Sequence, residues 1–497
     1  MRIVHSPQMS VGQINIADIT IDPKSRDDIP QILLGLQYIY INQSLREAVF
    51  KILGEIVPYQ EGEDGNTPVS IDKGRPGMEQ WKILVLGILR LGLNADFDRI
   101  HELANQHRTI REMLGHGMFD EDAHYSLSSI RDNIQLFTPE ILDRINQEVV
   151  KAGHGLVGQK KNEELEGRCD SSVTKTDIHF PTDTNILFDA IRKTIQTCAF
   201  LCTLSNILGW RQSDFNIKQF KKLYRTIQKL RHSTSKDEKK KEAKAESIRN
   251  AHEAYINQAE IYLKRSLETC DRLRNHYLIS QAMIDEVYGY IHHAGRQIDQ
   301  IRRRVLEGEK IPHEEKVFSI FEPHTEWISK GKAGVPVELG LRVCIMEDTH
   351  GFILHHKVME KETDEKIAVE MVEETIKRFH NFSSCSFDKG FHSPGNQRDL
   401  KDILLTVTLP KKGRLSAEDK LREYSDEFIQ ARKKHSAVES AINALQVHGL
   451  DKCRDHGIDG FKRYVAIAVL ARNIQKIGAI ILNQEKERER EEYKKAA

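Results

Sequence analysis

Cysteine is scarce in this sequence, and its spacing lacks pairs. The seven cysteines, at positions 169, 198, 202, 270, 344, 385 and 453, include no CxxC motif. An odd, scattered set argues against a disulfide framework and for a reducing compartment. Net charge is missing too, because 74 Lys and Arg balance 74 Asp and Glu. Such a balance argues against a whole-surface polyanion binder, although local basic patches still set the field around a site. No glycine-rich phosphate loop is present, so an ATP-driven step has no basis in the sequence. The opening MRIVHSPQMS lacks the basic and then apolar segments of a signal peptide. The most apolar stretches, near 83–91 and 465–470, fall short of the roughly 20 residues that a membrane span needs. The expectation is a soluble, cytoplasmic protein with no membrane partner.

What is present is 497 residues with an ordinary share of apolar side chains, enough for two to four domains at about 100–200 residues each. Residues 1–160 carry helical periodicity at 32–40 and 45–56, with Asn42 placed to cap the second helix. The segment EGEDGNTPVSIDKGRPG (61–77) has loop composition, and apolar helices are expected at 81–93, 97–104 and 110–114. These short helices fit either a helix-turn-helix DNA reader or a packing domain. Residues 166–175 are small and β-branched and predict a strand carrying Asp170. A helical stretch follows at 185–307. Within it, residues 221–249 hold 11 Lys or Arg against 4 Asp or Glu, either a solvated helix face or a phosphate-facing surface. Strands are expected at 317–321, 337–345 and 351–358, the last two as a hairpin. A helix at 363–379, strands at 383–387 and 402–408, and helices at 425–447 and 458–481 complete an α/β pattern.

Three acids occupy positions suited to two-metal phosphoryl transfer. Asp170 lies within a predicted strand, Asp388 ends another, and Glu439 lies on a helix. Mg²⁺ prefers hard oxygen ligands, and a pair of such ions stabilises both the attacking and the leaving oxygen of an in-line displacement. A strand-end Asp is more often a turn or cap residue, and this pattern by itself is unspecific. Around Glu439, the residues Arg432, His435 and Glu439 share one helix face at spacings of three and four, and Asn443 extends it. Lys433 and Lys434 lie between them. Such a flank suits either phosphate contacts or a ladder of surface ion pairs. Ala437, Val438, Ala441, Ile442 and Leu445 form the expected buried side of the same helix.

An ordered set of motifs adds to this pattern. It comprises Gly74-Arg75-Pro76-Gly77, Asp170-Ser171-Ser172-Val173, His179-Phe180-Pro181-Thr182-Asp183 and Phe321-Glu322-Pro323-His324-Thr325-Glu326-Trp327. Lys330-Gly331-Lys332-Ala333, Phe387-Asp388-Lys389-Gly390-Phe391 and the run Arg432 to Glu439 complete it. With these motifs, the chain from about residue 75 to 480 resembles the DDE transposases of bacterial insertion sequences, especially the group called ISNCY. The resemblance implies an RNase H-like mixed sheet with a large helical insertion and a helical N-terminal domain. The implied divisions are 1–160 for DNA binding, 161–184 and 308–485 for the catalytic domain, 185–307 for the insertion, and 486–497 for a charged tail. It implies that Asp170, Asp388 and Glu439 hold Mg²⁺, with Mn²⁺ as a substitute. It also implies that Arg432, Lys433, Lys434, His435, Lys330, Lys332 and Lys389 contact DNA. The implied partners are the double-stranded element ends, target DNA and further copies of the chain in a homodimer or larger oligomer. A nuclease that cuts without joining and an inactive DNA-binding relative are the alternatives.

The same resemblance places Glu322, His324 and Glu326 near the reacting strand; without it they form a polar loop. Asp364 either resembles an acid following the third strand or serves as a helix N-cap. Trp210 and Trp327 are core residues or base-stacking platforms. The pairs His292-His293 and His355-His356 are expected on helix and strand surfaces, not at zinc sites.

Overall fold

The computed structural model describes residues 3–56, 59–62, 65–68, 77–120, 122–160, 163–232, 238–329 and 336–496. Lys330, Lys332 and the motif 74–76 lie outside the described residues. Two compact units are present, one made of residues 1–177 and 328–497, the other of 178–327.

The larger unit begins with helices α1 (Ile29–Ile41) and α2 (Gln43–Leu53), separated by Asn42, whose side chain accepts from Leu45 N at 3.2 Å as expected of a cap. A short hairpin, β1 (Tyr59–Gly62) and β2 (Gly65–Pro68), precedes α3 (Gln80–Gly92). Helices α4 (Phe97–Gln106), α5 (Arg108–Met113), α6 (Leu127–Ile134) and α7 (Pro139–Leu156) follow. The N-terminal helices, expected as a separate domain, share one hydrophobic core with the sheet.

That sheet has seven strands among the described residues: β3 (Leu165–Thr176), β4 (Glu326–Ser329), β5 (Val337–Asp348), β6 (Ile353–Met359), β7 (Phe382–Phe387), β8 (Thr406–Thr408) and β9 (Lys452–Cys453). β3 is central. It pairs antiparallel with β5 and parallel with β7, β6 pairs antiparallel with β5, and β8 pairs parallel with β7. Alternation along β3 buries Cys169 beside Cys344, with sulfurs 3.4 Å apart, and turns Arg168, Asp170 and Ser172 to the other face. All seven cysteines are free and buried.

The smaller unit is a helical bundle of α8 (Asp183–Leu204), α9 (Ser213–His232), α10 (Glu238–Leu273) and α11 (Gln281–Ile301) with its own core. Trp210 belongs to that core. It is 2% exposed, donates Nε1–H to Thr269 Oγ1 at 3.0 Å and is covered by the Arg265 guanidinium, so it is no base-stacking platform. Residues 317–321, expected as a strand, are irregular. Ser319 Oγ accepts from both Phe321 N and Glu322 N at 3.1 Å, a local bond that competes with strand pairing.

The rest of the larger unit comprises α12 (Asp364–Arg378), α13 (Pro394–Ile403), α14 (Ala417–Glu423), α15 (Asp426–His435), α16 (Ala437–Leu445) and α17 (Gly457–Ala496). The strand expected at 402–408 is only Thr406–Thr408, because Ser393 caps a helix with Pro394 in its first turn and that helix runs to Ile403. The single helix expected at 425–447 breaks at Ser436, whose hydroxyl donates back to Lys433 O at 2.8 Å. Residues 486–496 of the expected charged tail are helical and continue α17.

α17 contains an apolar window much longer than residues 465–470. By length and composition alone Gly457–Lys495 passes as a membrane span, but 72% of that window is buried in the protein. Its packing partners are α1, α3 and α7. Asn473 on α17 also holds β6, accepting from Ile353 N and donating to Ile353 O, both at 2.9 Å.

Candidate active site

Strand register brings two of the expected acids together. Cys169 of β3 is paired with Phe387 of parallel β7, so Asp170 and Asp388 are the next residues along two adjacent strands. Adjacent strands stand about 4.8 Å apart. Asp388 begins a short helical turn, Lys389–Phe391, held by Phe391, which is buried and packs its ring 5.6 Å from that of Phe387. Lys389 is exposed on this turn.

A third acid joins from α12. Asp364 Oδ1 accepts the Ser171 hydroxyl at 2.6 Å, while Ser171 N–H donates to Asp170 Oδ1 at 2.7 Å. A side chain at Gly390 would meet Asp364 Oδ2 at 3.3 Å and Asp388 Oδ2 at 3.8 Å. These two carboxylates therefore flank one small space that glycine keeps open. Thr363, not Asp364, is the N-cap of α12.

Glu439 lies in the first turn of α16 and is exposed. Its charge is felt at Asp170. Burial pushes the Asp170 carboxyl up to about 7, and the negative charges of Asp388, Asp364 and Glu439 add to that rise against the Ser171 hydrogen bond. Among the described residues none of these four acids has a salt bridge. His435, at the end of α15, shares a 3.0 Å hydrogen bond between Nδ1 and Ser386 Oγ. Burial lowers its proton affinity and Arg168 lowers it further, against the pull of Asp388 and Glu439. The sheet face thus carries Arg168 and Ser386 next to the acids, with His435 of α15 bonded to Ser386.

Arg432, Lys433 and Lys434 are exposed on α15 and have no ion pair among the described residues, so the ladder of surface ion pairs does not form. Asn443 is exposed on α16. Lys434 also lines a cavity of about 180 Å³ floored by Arg168, Ser384, Ser386, Thr406 and Thr408.

Other expected residues stand elsewhere. Glu322 and His324 belong to the helical unit, with Glu322 buried and its Oε2 3.7 Å from His324 Nε2, while Glu326 begins strand β4. His355 is buried on β6, not on the strand surface. Burial holds the proton affinities of His355 and His356 below the usual imidazole range.

Among the described residues, no group of three or more His, Cys, Asp or Glu is arranged to hold a metal ion as it stands. The acids are neighbours, not a closed cage. Their chemistry nevertheless fits a hard divalent cation: all offer carboxylate oxygens, and a cation between them would offset both the burial that chiefly raises Asp170 and the repulsion that adds to it.

Sequence reasoning gives too little weight to Asp364, Ser171 and Arg168. Arg168 is open to discovery, since period two places it on the face of Asp170. The Asp364 contact crosses from helix to strand and leaves no local signal. No family model, curated protein or solved structure matches this chain.

Proposed function

We propose that this protein is a DNA transposase of the DDE type, cutting element ends and joining them to target DNA. The observation that carries the reading is the group of carboxylates without salt bridges around Asp170, whose carboxyl is pushed up to about 7 by burial first and by its acidic neighbours second. A cluster of unbalanced like charge in a protein of zero net charge is costly, and such costs concentrate at functional sites. The strand order supports an RNase H-like interpretation: an antiparallel meander β3-β5-β6, with parallel β7 and β8 added on the other side of β3.

In this proposal Asp170, Asp388 and Glu439 present oxygen ligands, and Asp364 holds the hydroxyl of Ser171 beside them. Mg²⁺, or Mn²⁺ in its place, supplies Lewis acidity toward the phosphodiester when bound. Exposed Lys389, Arg432, Lys433 and Lys434 grip backbone phosphates. Water first attacks a phosphodiester at each element end and frees a 3′-hydroxyl, which then attacks target DNA. Both steps are in-line displacements at phosphorus, so one set of acids serves both. A second copy of the chain holds the other end.

A paired assay tests this. Labelled element ends and a target duplex are incubated with the full chain and Mg²⁺. Strand-transfer products are expected. Nicking without joining would reassign the protein as a nuclease, and binding without cleavage would reject the catalytic reading.

A further inference from the structure

The helical unit holds a cavity of about 370 Å³ that the acidic site does not use. One wall is aromatic. The Trp327 ring lies 5.8 Å from Phe180 and 5.7 Å from Phe318, and Phe318 lies 5.5 Å from His313. Phe180 is 62% exposed, so its ring is open to a ligand from solvent. The lining also includes Arg304 and exposed Lys316. Arg304 pairs with Asp183 at 2.9 Å. Arg231 stands near the same carboxylate, and burial and the neighbouring Arg304 lower its proton affinity. Lys316 has no ion pair among the described residues, so the lining keeps a positive charge that Asp183 does not neutralise.

Aromatic rings and cationic side chains lining one cavity fit a planar ring joined to an anion. Every nucleobase has a face to stack, and stacking on an aromatic side chain tolerates any base. The volume lies in the range of pockets that enclose small ligands. We propose that this cavity takes one unpaired nucleotide of DNA, its base against Phe180, Phe318 and Trp327 and its phosphate toward Lys316 and Arg304. The choice of DNA over other carriers of such a nucleotide rests on the transposase reading.

The test is a titration of the full chain, in EDTA, with a short single-stranded oligonucleotide carrying 2-aminopurine, whose emission falls when it stacks. The wild-type protein should quench it. Phe180→Ala and Trp327→Leu should each weaken binding by at least about fivefold, from the usual value of a stacked base, and remove the quench. Phe180 and Lys316 are exposed, so Phe180→Ala and Lys316→Glu test the site without disturbing the core. Lys316→Glu should weaken binding and flatten its salt dependence. Unchanged affinity and quench in Phe180→Ala and Lys316→Glu would overturn the proposal. Asp388→Ala should keep the full quench. Quenching by a protein that never cuts DNA would count against the transposase alone, and strand transfer by a protein that shows no quench would count against the cavity alone.

Discussion

Ser171 donates its hydroxyl to Asp364 Oδ1 at 2.6 Å and its backbone N–H to Asp170 Oδ1 at 2.7 Å. One small residue thus ties a helix-borne acid to a strand-borne one. Removing the hydroxyl with Ser171→Ala frees Asp364 without changing charge. Loss of such an outer partner typically costs on the order of 10–100-fold in activity or metal affinity. End cleavage by Ser171→Ala should therefore fall within that range while duplex binding is retained. Cleavage at the wild-type rate would show that Asp364 needs no tether.

The raised carboxyl of Asp170 has a consequence for stability. Its folded value of about 7 stands above the ordinary 3.8, so between those limits the folded state binds more protons than the unfolded one. Stability from this group is full below about pH 4 and is lost as pH rises toward 7 and beyond. Asp170→Asn should raise the melting temperature in EDTA at pH 8 and leave it nearly unchanged at pH 4. An equal shift at both pH values would point to packing instead of charge. Mg²⁺ should stabilise the wild type at pH 8 more than Asp170→Asn, because metal binding requires the ionised carboxylate.

Asp388→Ala should abolish cleavage and largely spare DNA binding, since Asp388 is exposed and has no side-chain capping bond. The paired change Lys433→Ala and Lys434→Ala should do the converse. Every phosphate that a lysine neutralises adds roughly 0.9 to the slope of log affinity against log salt on duplex DNA. The double variant should therefore bind more weakly and with a shallower slope. An unchanged slope would remove α15 from the DNA path.

Legibility in the sequence followed the range of the interaction. β3, β5, β6, β7 and α12 were readable because alternation, turn residues and helical period are local signals. The order of strands was not, yet the register of Cys169 with Phe387 is what sets Asp170 beside Asp388. The failures also have local causes. Ser319 and Ser436 each spend a hydroxyl on the backbone and so end a strand and a helix that hydrophobicity alone would continue. The role of α17 was hidden because its apolar residues serve several partners at once, which blurs a one-sided stripe. The acids were visible as types, but their grouping was carried by pairings across hundreds of residues.

The crossing of α1 and α17 gives a sharp test of the core. A Cβ at Gly478 would lie 1.8 Å from Gln31 O, and one at Gly35 would lie 2.1 Å from Ile474 O. Both obstacles are backbone atoms, so no side-chain rotation makes room. Gly478→Ala gains about 1 kcal/mol of helix propensity, but separating two packed helices typically costs about 1–3 kcal/mol or more. The net effect should be a lower melting temperature. Gly289→Ala is the control. Gly289 lies inside α11, and its Cβ would meet nothing within 4 Å. There the propensity gain stands unopposed, and the melting temperature of the helical unit should rise or hold. Thermal unfolding followed by circular dichroism separates the two. If Gly478→Ala stabilised as Gly289→Ala does, the close helix crossing would have to be abandoned.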